Sequence, residues 1–293
     1  QPAAAVSYQS GGRLLIVGAE AGALAAVAKQ LKERDSLQCT VLVTEQTSAA
    51  GAESGTALIH SGLTSLAGHL GQFRVQLESS AAMAALTVAT GKTEAQFDLV
   101  LDLSSPPILR SEILPPGYYA PADAAALQQA LRELPTLVGE FEKPRYFRYN
   151  ASICAHGRSG VTACTRCLDA CPTDAIVSIG DSIEVDPKLC QGAGSCAAVC
   201  PTGAISYAYP QLGDTLQRLR TLLKSYRQEG GDRAVLLLHD AEDGRRRLAT
   251  LAQQLPAKTG LHSLKPRCLD SCGLMVRHVK SAARGTRLAW YYL

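Results

Sequence analysis

Two segments of the chain repeat the pattern C-x3-C-P-T-x-A-I, and this repeat constrains the fold more than any other feature. The first segment is "CLDACPTDAIVSI" at 167–179, and the second is "CAAVCPTGAISYA" at 196–208. Proline after the second cysteine of each run fixes the backbone φ angle and removes an N–H group, so both segments turn at the same point. The repeat predicts two similar half-sites related by pseudo-symmetry. Between them, "AIVSIGDSIEVD" predicts two short strands around a Gly-Asp turn.

The cysteines are concentrated in one part of the chain. Seven of the ten lie between residues 154 and 200, with C-x2-C and C-x3-C-P spacings. No apolar run approaches the length of a membrane span, and no charged segment followed by an apolar one marks an export signal. We therefore expect a soluble, cytoplasmic protein, in which clustered cysteines favour metal binding over disulfides.

The spacing of these cysteines is typical of iron–sulfur ligands. In two-cluster ferredoxins, the fourth cysteine of each run ligates the other cluster. That rule assigns Cys154, Cys164, Cys167 and Cys200 to one [4Fe-4S] cluster, and Cys171, Cys190 and Cys196 to a second cluster. Zinc is the alternative for C-x2-C pairs, but zinc requires neither the C-P step nor a symmetric repeat. We predict two iron–sulfur clusters.

The second run lacks one expected cysteine. In "LCQGAGSCAAVCP", Ala193 stands where the spacing C-x2-C-x2-C-x3-C-P requires the second cysteine. Three outcomes are open. The cluster rests as a [3Fe-4S] cluster, or it remains an incompletely ligated [4Fe-4S] cluster with water or Ser195 on the fourth iron, or Cys268 or Cys272 completes it. We expect the cysteines outside the clustered seven to be free thiols: Cys39, Cys268 and Cys272.

The first hundred residues alternate between strand and helix patterns. "RLLIV" at 13–17 and "LQCTVLV" at 37–43 are typical of buried strands, and the Ala-rich stretch at 21–34 has a helical apolar period. This β-α-β order predicts a parallel sheet. "FDLVLDLS" at 97–104 predicts a further strand. Before it, "FRVQLES" and "ALTVAT" are interpreted as strands of a hairpin-like insertion.

The turn "GAEAGA" after the first strand resembles the dinucleotide-binding turn G-x-G-x-x-G/A. Gly18 and Ala23 fit its first and last positions. Glu20 replaces the glycine that lets the backbone approach a pyrophosphate, and its carboxylate repels that group. Glu45 stands where a ribose-binding acid is expected. We predict a Rossmann-like domain that binds neither NAD nor FAD.

These patterns divide the chain into five predicted segments. They are a Rossmann-like α/β domain at 1–110, a Pro-rich linker and helix at 111–145, a two-cluster bacterial-ferredoxin-like domain at 146–210, a short α/β element at 211–256, and a basic tail at 257–293. The α/β element contains an amphipathic helix pattern in "LGDTLQRLRTLLKSYRQ", a strand pattern in "RAVLLLH" and a helix pattern in "DGRRRLATLAQQL". The tail shows no regular period before "LAWYYL".

Charge and side-chain chemistry give no support for nucleic-acid binding or for a hydrolytic catalytic set. The net charge is +3, and the tail alone carries seven Lys/Arg against one acid, so the rest of the chain gives no support for nucleic-acid binding. No Ser/His/Asp or Cys/His catalytic set is visible. We interpret His156 and Arg158 as solvated loop residues, with hydrogen bonding toward a cluster as the alternative. The aromatic residues predicted to shield the clusters from water are Tyr146, Phe147, Tyr149, Tyr207 and Tyr209.

The segments "FEKPRYFRYNASICAHGRSGVTACTRCLDACPT" and "LCQGAGSCAAVCPTGAISYAYP" together resemble a family of proteobacterial 4Fe-4S ferredoxin-type proteins whose genes are often associated with formate dehydrogenase. The likeness runs from about Ser7 to about Leu255. It implies a carrier of single electrons with formate dehydrogenase as redox partner. The alternatives are an oxidoreductase subunit passing electrons from NAD(P)H or flavin to the clusters, and a structural or maturation factor.

Overall fold

The computed structural model describes residues 4–32, 37–44, 57–90, 95–157, 163–209, 211–230, 236–239 and 273–276, with a few positions between 243 and 250. The chain forms two compact units, Gln1–Tyr209 and Pro210–Leu293. The strands of the first unit are β1 (Ala5–Ser10), β2 (Arg13–Gly18), β3 (Gln38–Val43), β4 (Ala57–His60), β5 (Leu63–Ala67), β6 (Phe73–Leu77), β7 (Gln96–Phe97), β8 (Leu99–Asp102), β9 (Tyr118–Tyr119), β10 (Gly139–Pro144), β11 (Phe147–Tyr149), β12 (Ile176–Ser178), β13 (Ile183–Val185) and β14 (Ile205–Tyr207). Its helices are α1 (Ala21–Lys32), α2 (Ser80–Thr90), α3 (Ala124–Glu133), α4 (Arg166–Asp169) and α5 (Ser195–Val199).

Five parallel strands form the main sheet of the first unit, in the order β4-β3-β2-β8-β9. The predicted β-α-β unit is present as β2-α1-β3, and the strand predicted at 97–104 is β8. One face of the sheet, with Leu14 and Ile16, packs against α1 and α3. The other face, with Leu15 and Val17, packs against α2 and the antiparallel sheet β5-β6-β7. Because both faces are covered, β2 is continuously apolar from Leu14 to Val17 rather than alternating.

The prediction of a strand at "ALTVAT" is wrong, because this stretch belongs to helix α2. The hydroxyl of Ser79 accepts a hydrogen bond from the backbone N of Ala82 at 3.2 Å, which caps the first turn. Ala82 and Leu86, one turn apart, are both buried in the core under the main sheet. The alanines favour a helix and outweigh the strand preference of Val88, which is 82% exposed. "FRVQLES" does form a strand, β6.

The region from 147 to 207 is built as the sequence repeat predicts. Strand β11 pairs with β14, and β12 pairs with β13, both antiparallel. The predicted turn between β12 and β13 contains Gly180 at φ +78°, a conformation that favours glycine. Helices α4 and α5 carry Cys167 and Cys196, the equivalent first cysteines of the two C-x3-C runs. The small core contains Phe147, Cys167, Ile176, Ile183 and Ile205.

Segments from earlier in the chain pack against this cysteine-rich region. Strands β1 and β10 pair antiparallel over six residues, from Ala5 opposite Pro144 to Ser10 opposite Gly139, and we call this pair the N-terminal ribbon. In the Pro-rich crossing, the backbone N of Ile113 donates to the carbonyl of Pro172 at 2.9 Å. The side chain of Gln191 donates to the carbonyl of Leu114 at 2.7 Å. The ribbon and the crossing therefore belong to the same compact unit as the cysteines.

The second unit contains helix α6 (Leu212–Gln228) and an antiparallel pair of strands, β15 (Leu236–His239) and β16 (Gly273–Val276). The predictions of the amphipathic helix and of the strand in "RAVLLLH" are confirmed. The tail shows no regular period before "LAWYYL", and the four residues of β16 within it are too few to show one. "DGRRRLATLAQQL" and "LAWYYL" lie largely or wholly outside the described residues. Over the described part of the chain, the helices are too short or too polar to span a bilayer.

Candidate metal centre

Four cysteines surround one cavity in the cysteine-rich region. Cys154 follows the 3-10 turn Ala151–Ile153, Cys164 and Cys167 lie at the start of α4, and Cys200 follows α5. The other residues that line it include Tyr149, His156, Ile183 and Ile205. These four thiols are the set that the crossed-ligand rule predicts for the first cluster, including the contribution of Cys200 from the second run. The structure therefore places Cys200 of the second run beside the three cysteines of the first run, a grouping that the sequence indicates only through its repeat.

Cys171, Cys190 and Cys196 form a second group. Burial, with smaller effects from the neighbouring Cys190 and Cys171, raises the pKa of Cys196 to about 11. Burial also raises the pKa of Cys190, with Cys171 acting in the same direction. Closely spaced thiolates repel one another, and bound iron relieves that repulsion. Half-buried Ser195 begins α5, whereas Ala193 is exposed and has no ligating atom.

The arrangement suits a cluster better than a single ion. Over the described residues, no three His, Cys, Asp or Glu side chains converge on one point as ligands of a single metal ion do. An iron–sulfur cube instead places each thiolate on a different iron around a shared inorganic core. Four cysteines distributed around a partly open cavity fit that requirement. Cys39 is not part of either group, because it is buried in the main-sheet core, where burial raises the pKa of its thiol to about 11.

The threonine of each C-P-T sequence places a hydroxyl beside the last cysteine of its run, which is the one predicted to ligate the other cluster. The Oγ1 of Thr173 lies 3.4 Å from the Sγ of Cys171, and the Oγ1 of Thr202 lies 3.7 Å from the Sγ of Cys200. Burial opposes ionisation of Cys200, but hydrogen bonds from the backbone N–H of Ile205 and from Thr202 outweigh it and lower the pKa of the thiol. Such donors also tune the potential of a cluster. The repeated threonine was visible in the sequence, but its role was missed.

The interpretation of His156 as a solvated loop residue is wrong. Its side chain is 1% exposed, with Nδ1 2.7 Å from the carbonyl oxygen of Cys164 and Nε2 2.8 Å from the hydroxyl of Ser178. The next residue, Gly157, approaches the backbone of Asp181 so closely that a Cβ would lie 1.9 Å from its carbonyl oxygen. His156 therefore links the insert between Cys154 and Cys164 to the β12–β13 hairpin. Arg158 lies outside the described residues.

Replacing His156 tests this link. We expect His156→Ala to lower the free energy of unfolding by about 2–3 kcal/mol, because it leaves the Cys164 carbonyl without this partner and opens a cavity. Ser178→Ala removes one hydrogen bond at an exposed hydroxyl and should cost about 1 kcal/mol or less. Denaturant unfolding of both variants gives the comparison. Equal losses would show that only the hairpin contact contributes.

A cation from the N-terminal ribbon lies beside the second group. The Nζ of Lys143 donates to the carbonyls of Lys188 at 2.8 Å and Cys190 at 2.7 Å, and lies 5.1 Å from the ring centroid of Tyr8. The Tyr8 hydroxyl donates to the same Lys188 carbonyl at 2.6 Å. Burial lowers the pKa of Lys143, while Cys190 and Asp186 oppose that shift. Lys143 was missed from the sequence because it lies 47 residues before Cys190.

Only some of the aromatic residues predicted to shield the clusters from water are buried. Phe147 is buried in the small core, and Tyr149 packs against it. Burial and a hydrogen bond with Cys154 raise the pKa of the Tyr149 hydroxyl. On the surface, the Tyr207 ring stacks on that of Tyr146, with centroids 6.3 Å apart. Tyr209 is 47% exposed, so it shields nothing completely.

Comparison with known proteins gives the class of this region. Residues 162–204 match the family described as 4Fe-4S dicluster domain. The chain therefore contains a ferredoxin-type iron–sulfur domain.

Three relatives share this region. Hydrogenase-4 component A of Escherichia coli (strain K12) is 50% identical over 40 residues, 14% of this chain and 20% of that protein. Ferredoxin 7Fe of Hydrogenibacillus schlegelii and a ferredoxin of Alicyclobacillus acidocaldarius subsp. acidocaldarius are each 44% identical over 39 residues, 13% of this chain and 50% of each relative. The chain thus spans between a fifth and a half of the length of these curated relatives.

Proposed function

We propose that this protein is an electron carrier that moves single electrons through two iron–sulfur clusters. The observation that carries the proposal is the cavity bounded by Cys154, Cys164, Cys167 and Cys200, within a chain that contains a ferredoxin-type domain. When bound, such clusters take up and release one electron at a time. The chain supplies the thiolates, and the C-P-T hydroxyls and backbone N–H groups beside them stabilise their charge.

The proposed clusters differ in their ligands. The first is a [4Fe-4S] cluster on the four cysteines of the cavity. The second, on Cys171, Cys190 and Cys196, is a [3Fe-4S] cluster or an incompletely ligated [4Fe-4S] cluster. The grouping is supported by the upward effect of Cys171 on the pKa of Cys190, and of Cys190 and Cys171 on the pKa of Cys196. One relative is named as a seven-iron ferredoxin, and seven is the sum of a four-iron and a three-iron cluster.

The proposed partner is a cytoplasmic redox enzyme of the formate dehydrogenase type. The resemblance to proteobacterial ferredoxin-type proteins supports that choice, and a relative named as a hydrogenase-4 component supports service to a redox enzyme more generally. In this proposal the first unit's parallel sheet is a Rossmann-like scaffold without a nucleotide, and it supports the ferredoxin-type domain through the N-terminal ribbon.

Anaerobic purification of the full chain, followed by iron and sulfide analysis and EPR, tests the function. We expect seven irons per chain if the second cluster holds three and eight if it holds four, with cluster signals that respond reversibly to one-electron reductants and oxidants. Reduced protein should be reoxidised by an electron-accepting enzyme. Clusters that do not cycle would indicate a structural or maturation role, and the absence of iron and sulfide would contradict the proposal.

A nucleotide-dependent oxidoreductase is the second candidate, because the topology favours it. The turn after β2 leads into α1 at the edge where the strand order passes from β3-β2 to β8, the position at which open parallel sheets bind ligands. Gly18 fits the tight turn, since a Cβ there would lie 3.1 Å from the Cδ2 of Leu24. Glu20 is exposed directly before α1 and places a carboxylate where a pyrophosphate would sit.

Calorimetry distinguishes the candidates. We expect no micromolar affinity for NADH or FAD, because Glu20 repels the pyrophosphate. Glu20→Gly should strengthen any weak binding, and Glu112→Gly, at another exposed position, should leave it unchanged. Micromolar binding to the unmodified chain, with cluster bleaching by NADH, would instead establish the second candidate.

A further inference from the structure

The ammonium group of Lys143 reaches the second cysteine group from outside the ferredoxin-type run. It belongs to β10, and its Nζ donates to the carbonyl oxygens of Cys190 and Lys188. The Tyr8 ring of β1 covers it at 5.1 Å. The N-terminal ribbon therefore delivers a positive charge to the backbone of a cysteine that the proposed second cluster uses as a ligand.

The charge of this group matters more than its hydrogen bonds alone. One-electron reduction adds one negative charge to a cluster, and a nearby cation stabilises the reduced form more than the oxidised form. Lys143 is only partly accessible to water, so solvent screens its field less than it would screen that of a surface lysine. The first-cluster cavity is lined by Arg166, but that residue is exposed. The two centres therefore differ in their electrostatic surroundings.

We propose that Lys143 tunes the reduction potential of the second cluster, raising it above the potential set by Cys171, Cys190 and Cys196 alone. This inference rests on the proposed iron–sulfur function. Its consequence is that the ribbon is a redox-tuning element as well as a structural one. The charge stabilises an electron on the cluster beside the ribbon relative to the same cluster without Lys143.

The test is an EPR-monitored redox titration of the full-length, cluster-loaded protein. Lys143→Met removes the charge and keeps the length of the side chain. We expect its second cluster to have a lower midpoint potential, by an amount equivalent to a tenfold or greater change in the one-electron equilibrium, about 59 mV or more. The first cluster serves as the internal reference and should not shift. Lys143→Arg retains the charge and should keep most of the original potential.

Two controls separate charge from position. Tyr8→Phe deletes a hydrogen bond to the Lys188 carbonyl without changing any charge, so it should leave the potential nearly unchanged. Lys29→Met removes an exposed charge from α1 and should have no effect. If Lys143→Met loses the second cluster, Lys143→Gln, which keeps amide donors, takes its place in the titration.

The outcomes are separable from those of the proposed function. A wild-type chain without iron and sulfide contradicts the function itself. A loaded chain whose second potential is the same in Lys143→Met, or falls equally in Tyr8→Phe, overturns the inference about Lys143 and leaves the function standing.

Discussion

Ala193→Cys is expected to raise the iron content from about seven to about eight per chain and to abolish the three-iron EPR signal of air-purified protein. In the wild type, the second group offers three thiolates, and an iron without a protein ligand dissociates most readily on oxidation. The added thiol completes the spacing C-x2-C-x2-C-x3-C-P. The loop can present it, because Ala193 lies between Gly192 and Gly194, both at φ +79°.

Within this loop, the local packing leaves room for a larger side chain at Ala193 but not at Gly192. A Cβ at Gly192 would lie 2.9 Å from the Tyr146 ring, and the Tyr207 hydroxyl donates to the Gly192 carbonyl at 2.8 Å. The loop is therefore held in place at Gly192, whereas Ala193 is exposed and has room for a larger side chain. Ala198→Cys, on an exposed position of α5, is the matched control and should leave the iron content unchanged.

A wild-type protein with about eight irons and no three-iron signal would contradict this expectation. Ser195→Ala would then test the nearest hydroxyl, at the start of α5. Cys268→Ala and Cys272→Ala would test the cysteines of the tail, which lie outside the described residues. We expect all three variants to retain the wild-type iron content.

The parallel sheet and the ferredoxin-type repeat could be predicted because their signals are local. Continuous apolar runs such as 13–17 indicate a strand covered on both faces. The two matching C-x3-C-P runs predict two similar half-sites related by pseudo-symmetry. The helix at 80–90 was misread because Thr87 and Val88 favour strands locally, whereas Ala82 and Leu86 pack into the core at helical spacing. Tertiary burial decided between the two patterns.

The surroundings of the candidate site could not be predicted from sequence. Tyr8 bonds Lys188 across 180 positions, and Lys143 bonds Cys190 across 47. The pairing of β1 with β10 places Tyr8 and Lys143 on one ribbon. No periodicity or motif in the sequence predicts that pairing or the contacts these two residues make. His156 was misread for a related reason: a polar residue in an insert is usually solvated, and only the approach of the β12–β13 hairpin buries it.

Cys164→Ala is expected to remove the first cluster, so that the chain loses about four irons or more. It is also expected to destabilise residues 147–207. Over the described residues, the core cluster of this region has five buried side chains, one of which is Cys167, and it is too small to stabilise a domain of this size without added cross-links. The first-cluster ligands join the start of α4 to the end of α5, so their loss disconnects the two halves of the repeat. Iron analysis measures the first effect. Hydrogen exchange of the amides in β11 to β14 measures the second.

Cys39→Ala is the matched control, because it removes a thiol of the same size from a different core. Cys39 is 7% exposed in strand β3, and burial raises the pKa of its thiol to about 11, so it stays protonated at neutral pH. Its replacement should cost about 1 kcal/mol of unfolding free energy, keep the full iron content and leave exchange in β11 to β14 unchanged. Iron retained in Cys164→Ala, or lost in Cys39→Ala, would mean that the ligand set is wrong. Unchanged exchange in an iron-depleted Cys164→Ala would mean that the small core is stable without its cluster.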